Sequence, residues 1–299
     1  MIKKIIYSLL LVVIVIVGYL LISSNLFKNT SNQNNKIQIV AAENFWGSLL
    51  SQIGGNQVDV TSLVTDPNAD PHEYEVSSTV AKQFAKANYI VLNGAGYDSW
   101  AQSMINSAAS SNAVILNVAS LLGKKNGDNP HFWYNPIYVN ETVLELKNDL
   151  VKIRPSQTAY FNKNYQTLLD KLKVYQNNLA SIKNQFSGQK IASTEDIFVY
   201  MASASGLNLI SPIDFMQAVA NGNDPSASSI VEFQDQIKNH QVKLLIFNAQ
   251  TVNPITDSMK TLAAQNHIPV VAITETISPP GLSFEDWMNG QVINIKNNL

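Results

Sequence analysis

Residues 156–186 read SQTAYFNKNYQTLLDKLKVYQNNLASIKNQF, and the fold turns on how this stretch is read. Tyr160, Tyr165, Leu168, Leu169, Leu172, Tyr175, Leu179 and Ile182 recur mostly at three- and four-residue intervals, the period of one helix face. Neither Pro nor Gly interrupts the chain between Pro155 and Gly188. About 30 residues can therefore run as one helix, with Ser156 in the N-cap position. Such a helix is about 45 Å long, enough to run the height of the molecule and join two bodies stiffly. A flexible Gly/Ser hinge is absent, so small tilting is expected rather than large lobe closure.

On either side, short β-branched runs alternate with longer amphipathic stretches, as in parallel strands joined by helical crossovers. The strand candidates are 37–41, 58–63, 89–92 and 113–116 before the helix, and 190–192, 207–210, 244–247 and 270–273 after it. The expected architecture is α/β: two lobes, 37–155 and 188–299, each a parallel sheet with flanking helices, joined by one long rigid helix over 156–187. No internal sequence repeat marks the two halves.

The chain of 299 residues is 45% hydrophobic and 14% charged, which excludes a disordered or collagen-like polypeptide. A formal charge of −2 leaves no basic footprint for nucleic acid. There is no cysteine, hence no disulfide, no Cys nucleophile, no Cys-bound zinc and no lipidated cysteine. Any metal must be held by His, Asp or Glu. Residues 5–27 are uncharged and rich in Leu, Ile and Val, long enough to span a hydrocarbon core of about 30 Å. An uncleaved anchor is favoured over a cleaved signal, because no small-x-small cleavage site follows. Lys3 and Lys4 place the short end in the cytoplasm and the remainder outside. Residues 28–36 are polar and read as a tether.

Two of the four histidines sit in loops, each directly after a proline: His72 in Asp70-Pro71-His72-Glu73-Tyr74-Glu75, and His131 in Asn129-Pro130-His131-Phe132-Trp133-Tyr134. Proline restricts the chain beside each imidazole and lowers the entropic cost of holding it. Glu195 and Glu275 follow strand candidates in the second half. All four map to the carboxyl edge of the sheets, where ligands of open α/β proteins bind. Two imidazoles and two carboxylates would neutralise a divalent ion, and the mixed donors suit Zn²⁺ or Mn²⁺ better than Ca²⁺ or Mg²⁺. Four protein ligands leave little room for an activated water, which favours carrying a metal over catalysing with one.

His240 and His267 stand where helical patterns end and read as exposed caps. Glu43-Asn44-Phe45-Trp46 reads equally as a helix start or as support for a bound ion, and Phe132-Trp133-Tyr134 as a shield or as core. Asn93-Gly94-Ala95-Gly96-Tyr97 lacks the rest of a dinucleotide fingerprint and reads as a tight turn. Residues 221–226 read as a loop leading into a helix at Ser226.

Through the loops of His72 and His131, the Ser193-Thr194-Glu195 turn and the Thr274-Glu275 turn, residues 37–299 resemble the solute-binding proteins of manganese and zinc ABC importers. The resemblance implies two α/β lobes joined by a rigid helix, with the ion in the cleft. It places ligands at His72, His131 and Glu195, with Glu275 at the position of the last carboxylate, commonly Asp. It also implies an ABC permease as partner, one transported Zn²⁺ or Mn²⁺, a monomer, and a place on the outer face of a Gram-positive cell membrane. Members of that group are usually anchored through a lipidated cysteine, for which segment 5–27 would substitute. The His-rich loop of many zinc-specific members is absent at Leu122–Asp128, which resembles the manganese type, although zinc would bind as well. Two other readings use the same residues: a metal-dependent hydrolase with Glu73 as base, and a surface adhesin with a structural metal.

Overall fold

The computed structural model describes residues 36–66, 74, 76–251 and 253–299; segment 5–27, most of the tether, and the loop carrying His72 lie outside the described residues. In the first lobe, β1 (Ile37–Glu43) lies between β2 (Val58–Val64) and β3 (Tyr89–Leu92), with β4 (Val114–Asn117) beyond β3, all parallel. Helices cover both faces of the central strands, which are accordingly apolar without alternation: only Gln38 of β1 is exposed, and all four residues of β3 are buried. On one face packs α1 (Asn44–Gly54), through Phe45, Trp46, Leu49, Leu50 and Ile53. On the other face Val80 of α2 (Ser78–Lys86) and Ala101 of α3 (Ser99–Ala108) meet Val40, Ile90 and Leu92. Beyond β4 come α4 (Val118–Leu121) and α5 (Pro136–Ile153).

The long helix, α6 (Thr158–Phe186), begins two residues later than the sequence reading places it. Ser156 belongs to a 3₁₀ turn over Pro155–Gln157, and Gln157 precedes the helix without a side-chain cap. The Thr158 hydroxyl donates back to the Pro155 carbonyl at 2.7 Å, so the turn is closed from inside the helix. Leu168, Leu172, Tyr175, Leu179 and Ile182 form its buried seam at alternating four- and three-residue steps, preceded by Phe161. Tyr160, Tyr165 and Leu169 pack at the margins of that seam.

The second lobe runs β5 (Lys190–Ser193), α7 (Val199–Ala204), β6 (Asn208–Leu209), α8 (Ile213–Ala220), α9 (Ala227–Lys238), β7 (Leu245–Asn248), α10 (Pro254–Gln265), β8 (Val270–Ile273) and α11 (Phe284–Asn297). Its parallel sheet has the order β6-β5-β7-β8, matching β2-β1-β3-β4 strand for strand. In both, the strand order reverses between the first and third strands, which leaves a crevice at their carboxyl ends. Two similar blocks thus exist as topology without a sequence repeat.

One continuous apolar core includes Ile39 and Trp46 of the first lobe, the α6 seam, and Ile191, Ile246 and Trp287 of the second. The C-terminal α11 runs along α6, with Asn178 donating to Asn289 at 2.8 Å and Lys296 to Ser181 at 2.8 Å. It also reaches the first lobe: Phe284 N–H donates to Ser48 at 3.0 Å and Gln52 to Glu285 at 2.8 Å. Closing the lobes onto a shared core fits the absence of a hinge sequence. Among the described residues no helix is long and apolar enough to cross a membrane.

His240 and His267 are exposed and sit just past α9 and α10 with φ of 50° and 56°. Each donates its N–H back into the last turn, to Ile237 and Ala264. They are helix caps, in the left-handed position where glycine is usual.

Candidate metal centre

The crevices of the two sheets face each other across a cavity of about 610 Å³ whose lining includes Tyr97, His131, Glu195, Asp196, Thr251 and Glu275. Three of the four residues singled out from sequence therefore reach one cavity, and the fourth, His72, lies outside the described residues. Among the described residues no three His, Asp or Glu side chains converge closely enough to hold an ion by themselves.

His131 is 2% exposed and is fixed by its own loop. Asn129 Oδ1 accepts from the His131 backbone N–H at 3.0 Å and lies 2.9 Å from ring Nδ1, while Asp196 Oδ1 is 3.4 Å from the same nitrogen. Oxygen acceptors at Nδ1 favour the tautomer with its proton there, which leaves the Nε2 lone pair for a metal. Asn129 donates to the Asp196 carbonyl at 2.7 Å, and the Tyr200 hydroxyl to the Asn129 carbonyl at 2.9 Å, so the second lobe holds the loop from across the cleft. On the first-lobe side Trp46 donates to Asn93 at 3.2 Å, and Asn93 to the Pro130 carbonyl at 2.9 Å. Trp133 meets the imidazole edge-on at 5.3 Å. The aromatic run is core and wall together, since Phe132, Trp133 and Tyr134 are all buried.

Glu195 follows β5 in extended conformation and is 2% exposed. Asn248 at the end of β7 donates to its Oε2 at 3.2 Å, and Oε1 has no partner among the described residues. Burial, reinforced by the charge of Glu275, pushes the Glu195 carboxyl up to about 8. Glu275 is equally buried. Its Oε1 accepts from Asn248 at 2.6 Å and its Oε2 from the Tyr97 hydroxyl at 2.7 Å. Gln250 Oε1 fixes the backbone, accepting from the N–H groups of Glu275 at 2.6 Å and Thr276 at 2.9 Å. Two carboxyl groups linked by one amide, deep in a cleft, supply oxygen donors once Glu195 gives up its proton, and the nearby imidazole adds a nitrogen donor. That set fits a borderline first-row divalent ion.

Glu43 ends β1 and is completely buried. Burial and the charge of Asp98 raise its carboxyl well above the usual range. Its carboxyl faces that of Asp98, and the two acids interact directly inside the first lobe. Asp98 in turn accepts from the N–H groups of Asn93 at 2.6 Å and Gly94 at 2.8 Å, closing the turn that leads to Tyr97. Gly94 has φ 80°, and a Cβ there would collide with Asn117. The neighbouring Asn44 accepts from Ile277 N–H at 3.0 Å, a contact between lobes.

Sequence reasoning did not find Asn248, Gln250, Tyr97, Asn129 and Asp196. All five stand at carboxyl ends of strands or in the loops beyond them. That placement, applied to β3 and β7 as it was to β5 and β8, was the available signal.

Two parallel α/β lobes on a shared rigid helix, with a donor-lined cleft between equivalent sheet edges, define a cleft-type solute-binding protein. The chain belongs to the family described as zinc-uptake complex component A, periplasmic, whose profile matches residues 39–298. It is 20% identical to the high-affinity zinc uptake system protein ZnuA of Bacillus subtilis (strain 168), with 91% of this chain and 90% of that protein covered. It is 21% identical to the manganese ABC transporter substrate-binding lipoprotein PsaA of Streptococcus pneumoniae serotype 4, with 95% of each covered. A crystal structure of ZnuA superposes with a TM-score of 0.71 at 21% identity, covering 88% of this chain and all of that one. The solute-binding protein FpvC of Pseudomonas aeruginosa in complex with Mn²⁺ superposes with a TM-score of 0.73 at 17% identity, covering 88% and 98%. These solved structures agree with the two-lobed fold.

Proposed function

We propose that this chain captures Zn²⁺ or Mn²⁺ outside the cytoplasmic membrane and delivers it to an ABC permease. The observation that carries the reading is the meeting of His131 from one lobe with Glu195 and Glu275 from the other at a single cavity. In this reading His131 binds through Nε2, Glu195 through its unpartnered Oε1, Glu275 through one oxygen, and His72 completes the set. The metal is cargo, and four protein donors leave no position for an activated water, so the chain binds rather than catalyses. The metal-transport names of the relatives favour this over a hydrolase or an adhesin. The lipoprotein names of several support an extracytoplasmic site of action. Residues 5–27 would tether the monomer there.

Isothermal calorimetry on the metal-free full chain in mild detergent tests this. The expected result is one Zn²⁺ or Mn²⁺ per chain, with affinity lowered more than about a hundredfold in His131→Ala and in His72→Ala, beyond the loss usual for a supporting residue. Binding unchanged in both variants would overturn the site assignment.

A further inference from the structure

Asn248 ends β7, the strand that lies between β5 and β8, so it stands between the residues that follow those two strands. The register makes this specific. Ser193 pairs with Ile246, which brings Glu195 level with Asn248, and Asn248 pairs with Ile273, which brings Glu275 just beyond it. Asn248 is 2% exposed, and its Oδ1 accepts from the Gln250 N–H at 3.0 Å, which turns Nδ2 toward the carboxyls. Nδ2 lies 2.6 Å from Glu275 Oε1, 3.0 Å from Thr251 Oγ1 and 3.2 Å from Glu195 Oε2. One nitrogen thus serves both acids of the site, and no sequence motif assigns it that task.

Two buried carboxyls within reach of each other close into a direct pair, one donating its proton to the other. The first lobe shows this outcome, where Glu43 and Asp98 meet through a side-chain hydrogen bond. Carboxyls paired in that way have fewer lone pairs for an ion, and their bond must break before a metal can enter. In the second lobe the amide takes the intervening place. Glu195 and Glu275 each engage one oxygen with Asn248, and Glu195 Oε1 has no hydrogen-bond partner among the described residues. An amide nitrogen donates and does not accept, so it holds two acids near each other without joining them.

We propose that Asn248 is a positioning residue for metal capture, a spacer that gathers Glu195 and Glu275 at the cleft while keeping them from pairing with each other. This role rests on the metal-site reading above and needs only that both carboxylates reach the ion.

The test uses the full chain in mild detergent, wild type and Asn248→Ala, a variant that leaves room for the two carboxyls to meet. Its Zn²⁺ affinity, read by calorimetry, should fall about 10–100-fold. A double-mutant cycle separates positioning from structure: in a Glu195→Ala background no pair is left to hold apart, and the same substitution should cost about threefold or less. A crystal structure of metal-free Asn248→Ala should show Glu195 and Glu275 in a direct hydrogen bond. Unchanged affinity, equal loss in both backgrounds, or carboxyls unmoved in the variant would each overturn the proposal. Should Asn248→Ala not fold, Asn248→Ser, polar but too short to reach both acids, takes its place in every measurement. A wild type that binds no Zn²⁺ removes the site reading itself, an outcome distinct from a metal-binding protein indifferent to Asn248.

Discussion

Replacing Glu195 with Gln should make the metal-free protein more stable, by an amount that grows with pH. The wild-type carboxyl is raised from an ordinary 4.5 to about 8 by burial and by Glu275. Between those values the folded chain holds a proton that the unfolded chain has lost. Stability from this group is therefore complete below 4.5 and is lost as pH rises through about 8. At about 1.4 kcal/mol per unit, the loss is about 1 kcal/mol at roughly pH 5.5, about 3 at roughly pH 7 and about 5 at roughly pH 8.5. Gln keeps the shape of the side chain and has no such slope. Urea unfolding of both proteins in chelator, at those three pH values, reads the difference directly. Stability curves that run parallel, or a variant weaker at every pH, would refute the assignment of a buried, proton-holding Glu195. With Glu195 as a ligand, as proposed, the same proton leaves when a metal arrives, so binding near neutral pH should release close to one proton from this carboxyl, measurable by calorimetry in buffers of different ionisation enthalpy.

Asn129→Ala removes the acceptor at His131 Nδ1 and a strap between lobes; metal affinity should fall about 10–100-fold, by competition titration, with the fold retained in circular dichroism. Leu172→Ala empties the middle of the α6 seam and should cost about 2–5 kcal/mol in denaturant unfolding, with both lobes still melting in one transition because they share that core. His240→Gly and His267→Gly relieve left-handed backbone at helix ends and should each stabilise by about 1 kcal/mol, seen as a rise in melting temperature, without changing metal affinity.

The fold was legible where local pattern and tertiary role coincide. Strands over 89–92 and 270–273 appear with the boundaries read from sequence, since β-branched and apolar residues fill them and turn residues bound them. The α6 seam was legible for the same reason, whereas its start was not. A Ser beside a Pro is a cap signal, but Thr158 outcompeted it by bonding back to Pro155. Ser226 does cap α9, yet the loop before it was read only as a connection, and Asn221 and Gly222 line the cleft. Asn93–Tyr97 is the tight turn it was read to be, but its last residue touches a carboxylate 178 positions away. No local period encodes such a contact, because it exists only once two separately patterned lobes have docked.

The matching strand orders give each lobe a counterpart of the other's key residues. Glu43 at the end of β1 answers to Glu195 after β5, and Asn93 after β3 answers to Asn248 at the end of β7. Both glutamates are sunk out of water and both hold protons more tightly than usual. What separates them is the company each keeps. Glu43 interacts with Asp98 inside its own lobe and so spends its chemistry internally as a fastener. Glu195 has an amide for a neighbour and a cavity in front of it, which leaves its chemistry for whatever enters. One scaffold position, used twice, thus yields a bolt on one side of the cleft and a hook on the other.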